Sequence, residues 1–305
     1  MKKNFKFTFL PLCAMLVLNP SCSGEDVKEI TPEVGNFGEI KFDRTKFGYG
    51  QTITASCQLP SVSSSIPDLI FTWYNNGSQG LSEEKNGVSY YTFSAPSPET
   101  NTSDTECKIE LKAATSFTDV KLPADATATI TIQHTDAYLS FWGDNLETVE
   151  MDVPDLEESD GKYIKSFKDY IGINSDDYVS SFYSFDNNRL AKLEEIRSIN
   201  EPAVYNGDYQ YTQKLNGILK KGIRFYNLSI TESYIVLPDN TQENYDYEST
   251  DKAYLGEAAA SLMDEGGLLY IKGNGKNTNL LIMVKKNSQD GKKGLLSMFE
   301  YTPKQ

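Results

Sequence analysis

The stretch QTITASC, residues 51–57, alternates polar and apolar side chains, as expected for a β-strand with one buried face. Further segments of this kind follow along the chain, with turn-forming residues between them. No segment of residues 37–146 has the period of about 3.6 residues that marks an amphipathic helix. The pattern predicts an antiparallel, all-β sandwich over residues 37–146. Its other predicted strands are residues 69–74, 88–93, 107–112, 127–132 and 138–142.

Two cysteines and a tryptophan on these strands carry a family resemblance. Cys57, Trp73 and Cys107 follow one another in the order Cys…Trp…Cys. This order resembles the immunoglobulin arrangement, in which a Trp on the third strand packs on a disulfide that joins the two sheets. The family has a Tyr two residues before the second Cys, where this chain has Thr105. The resemblance therefore implies an Ig-like or PKD-like sandwich without the tyrosine corner of a true immunoglobulin domain.

The N-terminus has the features of an export signal. Three lysines among the first six residues precede an apolar run at residues 7–18, which is too short to span a bilayer. The run ends in NPSC, residues 19–22, and small residues before a Cys resemble the signal of bacterial lipoproteins. The resemblance implies that residues 1–21 are removed and that Cys22 carries lipid. Ordinary secretory cleavage, with Cys22 left free, is the alternative.

Residues 22–36 are polar and acidic and are predicted to be a tether. Glu25 and Asp26 follow closely behind Cys22, and this acidic pair resembles the surface-export signal of Bacteroidetes-type lipoproteins. The resemblance implies a protein anchored in the outer membrane by its N-terminal lipid and exposed at the cell surface. A plain soluble tether is the alternative, because acidic residues and serine are common in any linker.

The cysteine count fits an exported protein. Of the four cysteines, Cys13 leaves with the signal peptide and Cys22 takes the lipid. Cys57 and Cys107 remain as an even pair in an oxidising compartment, which predicts a disulfide between them. Two buried free thiols are the alternative.

An acidic stretch follows the sandwich. Residues 147–161, ETVEMDVPDLEESDG, contain Pro154 and are predicted to be an interdomain linker. Carboxylates bind Ca²⁺, but their spacing here is not that of a recognised calcium loop, and no metal site is predicted.

Residues 162–305 mix the helical and the strand period and predict an α+β domain with an antiparallel sheet. Residues 181–193 fit a hairpin or a helix equally well. This half suggests no family. Its predicted helices are residues 209–221 and 251–265, and its predicted strands are residues 223–237, 268–272, 280–286 and 294–301.

Charge and composition argue against several classes of function. The chain has 29 basic and 43 acidic residues, with a formal net charge of -14, which argues against nucleic acid as a partner. His134 is the only histidine, and no Gly-x-Ser-x-Gly elbow occurs. We therefore predict no enzymatic activity and no cofactor, with an unrecognised hydrolase as the third hypothesis.

Aromatic residues beside polar ones suggest a ligand site. Trp142 is followed by Gly143, Asp144 and Asn145, and a second cluster contains Tyr205 and Tyr209. A flat ring stacks on the apolar face of a sugar while Asp and Asn take its hydroxyls, and the same side chains suit protein recognition. Aromatic rings that merely cover a sheet edge are the alternative.

The leading hypothesis is a non-catalytic cell-surface lipoprotein that binds a glycan or a protein ligand. The runner-up is a structural or assembly component of the cell envelope, similar to a pilus part or an adhesin.

Overall fold

A computed structural model describes residues 31–62, 66, 68–98, 101, 103–168, 178–200, 227–244, 265–287 and 294–305. Within these ranges the chain is almost entirely β structure, with three sheets and one short helix. Among the described residues, no helix is long and apolar enough to cross a membrane.

The N-terminal unit is a two-sheet sandwich. Its strands are β1 (Lys41–Phe42), β2 (Phe47–Gly48), β3 (Thr52–Gln58), β4 (Ile70–Asn75), β5 (Ser78–Gly80), β6 (Glu83–Lys85), β7 (Val88–Ser94), β8 (Thr105–Ala114) and β9 (Ala126–Gln133). The sheet orders are β1-β3-β7-β6 and β2-β9-β8-β4-β5, and β2 pairs with β9 in parallel. These orders match the ABED and GFC sheets of the immunoglobulin fold, which confirms the predicted Ig-like sandwich.

Five of the predicted strands coincide within two residues with β3, β4, β7, β8 and β9. The predicted strand at residues 138–142 is wrong. Tyr138 has a left-handed backbone (φ 54°), and Ala137 and Ser140 exchange backbone hydrogen bonds of 2.9 and 3.0 Å across a tight turn. A left-handed residue interrupts extended backbone, so this segment cannot continue as a strand.

Trp73 lies at the centre of the sandwich core and is fully buried. Its Nε1 donates to the Ser89 hydroxyl at 2.9 Å, and its ring stacks on Tyr91 with centroids 5.8 Å apart. A buried indole N–H needs an acceptor, and Ser89 on the opposite sheet supplies one. Other fully buried core residues are Tyr49, Ile53, Ala55, Ile109, Leu111 and Ile132.

The missing tyrosine corner has a substitute. The Tyr49 hydroxyl donates to the Ser103 carbonyl at 2.6 Å and lies 2.6 Å from Thr105 Oγ1. Tyr49, in the turn before β3, therefore holds the start of β8 in place. The immunoglobulin family uses a tyrosine of that strand itself for this role.

The predicted disulfide between Cys57 and Cys107 is not formed, and both residues are buried free cysteines. Each thiol has an acceptor of its own. Cys57 Sγ donates to the Gly38 carbonyl at 3.3 Å, and Cys107 Sγ donates to Asn75 Oδ1 at 3.1 Å. The free-thiol alternative holds in this structure.

Strand register explains why the bridge is missing. Cys57 pairs with Ser89, the residue that accepts the hydrogen bond of Trp73. Trp73 pairs with Leu111, and Cys107 lies four residues from Leu111 along β8. Four strand residues span roughly 13 Å, whereas bridged cysteines have Cα atoms about 4.4–6.8 Å apart. The two thiols therefore belong to different layers of the core.

The C-terminal unit contains α1 (Leu146–Asp152) and a nine-stranded antiparallel sheet. The sheet strands are β10 (Glu157–Ser159), β11 (Lys162–Lys168), β12 (Tyr178–Asp186), β13 (Arg189–Asn200), β14 (Ser229–Val236), β15 (Gln242–Asn244), β16 (Leu268–Asn274), β17 (Thr278–Asn287) and β18 (Gly294–Pro303). Their order is β10-β11-β12-β13-β18-β17-β16-β14-β15. The antiparallel sheet predicted for this half is confirmed, and the described residues from 162 onward are almost entirely β structure.

Residues 181–193 form the hairpin alternative, because β12 and β13 pair through a turn in which Asn187 and Asn188 have positive φ. The predicted helix at residues 209–221 lies outside the described residues, as does nearly all of the predicted helix at residues 251–265.

The acidic segment 147–161 is structured, unlike the solvated linker that we expected. Most of α1 and all of β10 lie within it, and Val149 and Val153 are buried in the core of the nine-stranded sheet. Leu146, Val149 and Val153 have the three- and four-residue spacing of one helix face, so the apolar residues outweigh the surrounding acidic ones.

Candidate functional site

Residues 134–145 connect the sandwich to α1 through a series of turns. Two carboxylates hold these turns in place. Asp136 Oδ2 accepts a hydrogen bond from the Trp142 backbone N–H at 3.1 Å, and Asp144 Oδ2 accepts one from the Phe141 N–H at 2.9 Å. Gly143 between them has a φ of 83°, a conformation that favours glycine. Hydrogen bonds between these side chains and the local backbone therefore fix the path of the chain at this junction.

Trp142 joins this segment to the nine-stranded sheet. The ring is half-buried and packs against the core of that sheet, and Nε1 donates to Thr278 Oγ1 at 3.0 Å. The buried Thr278 hydroxyl in turn donates to the Asp136 carbonyl at 3.2 Å. The residue predicted to be a ligand platform thus uses its polar atom inside the protein.

Asn145 also has an internal role, as the N-cap of α1. Its Oδ1 accepts hydrogen bonds from the Thr148 backbone N–H and from the Thr148 hydroxyl, both at 2.8 Å. Such caps are worth about 1 kcal/mol to a helix. The other predicted site residues, Tyr205, Tyr209 and Cys22, lie outside the described residues.

A cleft of about 240 Å³ lies between residues 43–46 of the sandwich and residues 141–151 of the C-terminal unit. We call it the junction cleft. Of the predicted ligand residues that the structure describes, Asp144 alone lines it. The described lining residues are Asp43, Arg44, Thr45, Lys46, Gln51, Phe141, Asp144, Thr148 and Met151.

A buried ion pair lies beside the junction cleft, and Arg44 is the member of the pair that lines it. Arg44 Nη1 donates to Asp152 Oδ2 at 2.7 Å, with the two side chains 5% and 2% exposed. Gln51 Nε2 donates to the same oxygen at 3.1 Å and to the Leu139 carbonyl at 2.6 Å. Burial raises the pKa of Asp152, and the neighbouring Arg44 works against that rise. Arg44 and Gln51 therefore link the segments just after β1 and just before β3 to the end of α1.

The Nε of Arg44 is also buried, yet it makes no hydrogen bond among the described residues. It lies 3.5 Å from Asp43 Oδ1, beyond good hydrogen-bonding distance for a charged donor. A buried donor without an acceptor costs free energy, and the charge of the nearby Asp43 carboxylate reduces that cost.

Lys46 supplies an accessible charge at the mouth of the junction cleft. Its side chain is 48% exposed, and its Nζ lies 3.7 Å from Asp144 Oδ1 and 5.4 Å from the centre of the Phe141 ring. It also donates to the Trp142 carbonyl at 3.4 Å. The ammonium group and the Asp144 carboxylate together offer donors and acceptors to a polar ligand.

Sequence reasoning found Asp144 but missed Arg44, Lys46 and Gln51. These three precede Asp144 by about a hundred residues, and no local pattern marks them, because the fold alone brings them beside α1. Within the described ranges, no group of three His, Cys, Asp or Glu side chains is placed to hold a metal ion.

Comparisons with known proteins add little to this geometry. No family model matches the chain, and no curated protein matches it. Among solved structures, the chain is similar to one described as tandem Ig repeats of Dlar, with 11% sequence identity and a TM-score of 0.20. That alignment covers 84% of this chain and 94% of the other.

Proposed function

We propose that this protein is a non-catalytic binding protein of the cell surface and that the junction cleft binds a glycan. The observation that carries the proposal is the half-exposed Lys46 ammonium beside the Asp144 carboxylate, 3.7 Å apart, at the mouth of the junction cleft. Clefts between structural units are frequent ligand sites, and a few fixed polar groups give them specificity.

The chemistry of the lining suits hydroxyl groups. Each sugar hydroxyl donates one hydrogen bond and accepts others, and the cleft offers both kinds of partner. Arg44 and Lys46 donate, whereas Asp43 and Asp144 accept. The positive and negative charges are interspersed, which favours a neutral polar ligand over a strongly charged one. The volume of about 240 Å³ suits one terminal sugar residue better than an extended chain.

The proposed location of the protein rests on the N-terminal sequence. We propose that Cys22 carries lipid, that the protein is anchored in the outer membrane by this lipid, and that it is exposed at the cell surface. The apolar run at residues 7–18 and the acidic pair after Cys22 support this location. Stable anchoring by lipid alone requires two or more acyl chains.

The test is a glycan array probed with the mature chain carrying Cys22→Ala, which removes the lipid site. We expect saturable binding to a limited set of glycans. Lys46→Ala should weaken that binding about tenfold or more, because a hydrogen bond to a charged group contributes about 1.5–3 kcal/mol. Lys121→Ala is the matched control, since Lys121 is an exposed, ion-paired lysine at the far end of the sandwich.

Binding that Lys46→Ala and Asp144→Asn leave unchanged would place the ligand elsewhere. An array without saturable signals would remove the glycan proposal. A protein ligand or a structural role in envelope assembly would then be the function that the sequence favours.

A further inference from the structure

One end of the sandwich exposes three large apolar side chains. Val62, Ile70 and Phe117 are 40%, 57% and 50% exposed. Ile70 opens β4 and pairs with Ala114 at the end of β8, three residues before Phe117. We call this surface the loop end, formed by residues 33–35, 59–62, 68–70 and 115–121. Single exposed apolar residues are ordinary, but several on one surface mark a contact region.

Hydrogen bonds connect the segments of the loop end. The Ser116 hydroxyl donates to Asp68 Oδ2 at 3.2 Å, which joins the segment after β8 to the one before β4. Val34 forms a bridge with Val62, and the Gly35 N–H donates to the Ser61 carbonyl at 2.8 Å. The apolar side chains are therefore presented on a connected surface.

The chain enters the sandwich at the loop end. Glu33 forms a parallel bridge with Lys121, and the Val34 N–H donates to the Lys121 carbonyl at 3.1 Å. The chain leaves at the opposite end. Ala126 of β9 pairs with Leu111 near the loop end, and β9 then runs away from it to Gln133 and the junction.

The length of the tether limits how far the loop end can lie from a lipid on Cys22. Glu33 is eleven residues after Cys22, and a fully extended chain covers roughly 3.3–3.6 Å per residue, or about 40 Å at most. This contour length keeps the loop end within about 40 Å of the lipid on Cys22.

Charge does not oppose such a contact. Lys121 pairs with Glu33 at 2.7 Å, and Lys112 pairs with Asp125 at 3.2 Å. Asp68 and Asp119 add two negative charges to the loop end, whose net charge is -2. The surface therefore suits a lipid interface with zwitterionic headgroups better than a strongly anionic one.

We propose that the loop end rests on the membrane that holds the lipid of Cys22, with Val62, Ile70 and Phe117 in the headgroup region. The inference depends on the lipid anchor proposed above. It adds an orientation to the proposed glycan binding, because the junction cleft at the opposite end of the sandwich then faces away from the membrane and toward external ligands.

The experiment uses the full mature chain and does not require cellular lipidation. The thiol of Cys22 is coupled to a maleimide lipid in phosphatidylcholine vesicles, since Cys57 and Cys107 are buried. Phe117→Trp then reports contact through quenching by brominated lipid. Met151→Trp is the matched control, because Met151 is 44% exposed but lies on α1 beyond the junction. Ile70→Trp is a second reporter.

We expect the emission added by Phe117→Trp and Ile70→Trp to be quenched at least twofold more than the emission added by Met151→Trp. Equal quenching of all three would overturn the proposal. So would a concentration-dependent dimer that Phe117→Asp abolishes, because a second copy would then cover the loop end. Metabolic labelling with a fatty acid, compared between the natural chain and Cys22→Ala, tests the anchor separately.

Discussion

Arg44 and Asp152 form a buried ion pair, 2.7 Å between Nη1 and Oδ2, that joins the sandwich to the helix of the C-terminal unit. The two residues are more than a hundred positions apart in the sequence. Asp152 is the last residue of α1, and Val149 of the same helix is buried in the core of the nine-stranded sheet. The ion pair therefore connects the sandwich to that core through α1.

Removing one member of this pair should destabilise the protein strongly. Arg44→Ala leaves the Asp152 carboxylate buried without its cation, and breaking a buried pair in this way costs about 3–5 kcal/mol. We expect a lower free energy of unfolding in urea, together with earlier separation of the two units in limited proteolysis at residues 134–145.

Two further variants make this prediction specific. Lys121→Ala, which breaks an exposed pair with Glu33, should leave the free energy of unfolding almost unchanged. The double variant Arg44→Leu with Asp152→Leu should recover much of the lost stability, because it removes both buried charges. A double variant less stable than Arg44→Ala would contradict this account.

Trp142 should contribute to stability through its indole N–H. Trp142→Phe keeps most of the ring packing but removes the donor to Thr278, and losing one such hydrogen bond costs about 1 kcal/mol. Combining it with Thr278→Val in a double-mutant cycle should give a coupling energy of similar size. Weakened glycan binding with unchanged stability would instead restore Trp142 as a ligand platform.

Asp136 should make the stability depend on pH. Burial is the main cause that raises its pKa above the ordinary value of 3.8, despite the hydrogen bond from the Trp142 N–H. The folded state therefore holds this proton more tightly than the unfolded state. The resulting stability is fully present below pH 3.8 and is lost as pH rises through the pKa of the folded state.

The measurement compares the natural chain with Asp136→Asn in urea unfolding at a series of pH values from about 3.5 to 7. The stability of the natural chain minus that of the variant should fall as pH rises and then level off. Other carboxylates cancel in this difference. A difference that grows with pH would mean that the pKa of Asp136 is lowered by folding.

The sandwich was predictable because the sequences of its longer strands alternate between buried and more exposed side chains. In β3, Ile53, Ala55 and Cys57 alternate with partly exposed residues, and in β8 the same holds for Cys107, Ile109 and Leu111. Strands of two or three residues, such as β2 and β5, are too short for alternation to show. They are defined by their pairing with β9 and β4.

Three features could not be predicted from local sequence patterns. The even pair of Cys57 and Cys107 predicted a disulfide, but its formation depends on register, and Cys107 is four residues from the partner of Trp73. The acidic segment 147–161 predicted a linker, because its charge obscured the apolar face of α1. The junction cleft likewise required residues 43–46 to meet α1, which only the tertiary fold determines.

The two buried cysteines should behave as unreactive free thiols. Burial raises the pKa of both Cys57 and Cys107, so little reactive thiolate forms, and access is blocked as well. In the mature chain carrying Cys22→Ala, a thiol reagent should label neither residue under native conditions and both after unfolding, and reductant should not change the Tm. Adding Ser61→Cys to that chain provides a control, since this exposed position should react at once. Recovery of the two cysteines in one linked peptide without reductant would show that the sandwich closes the bridge after all.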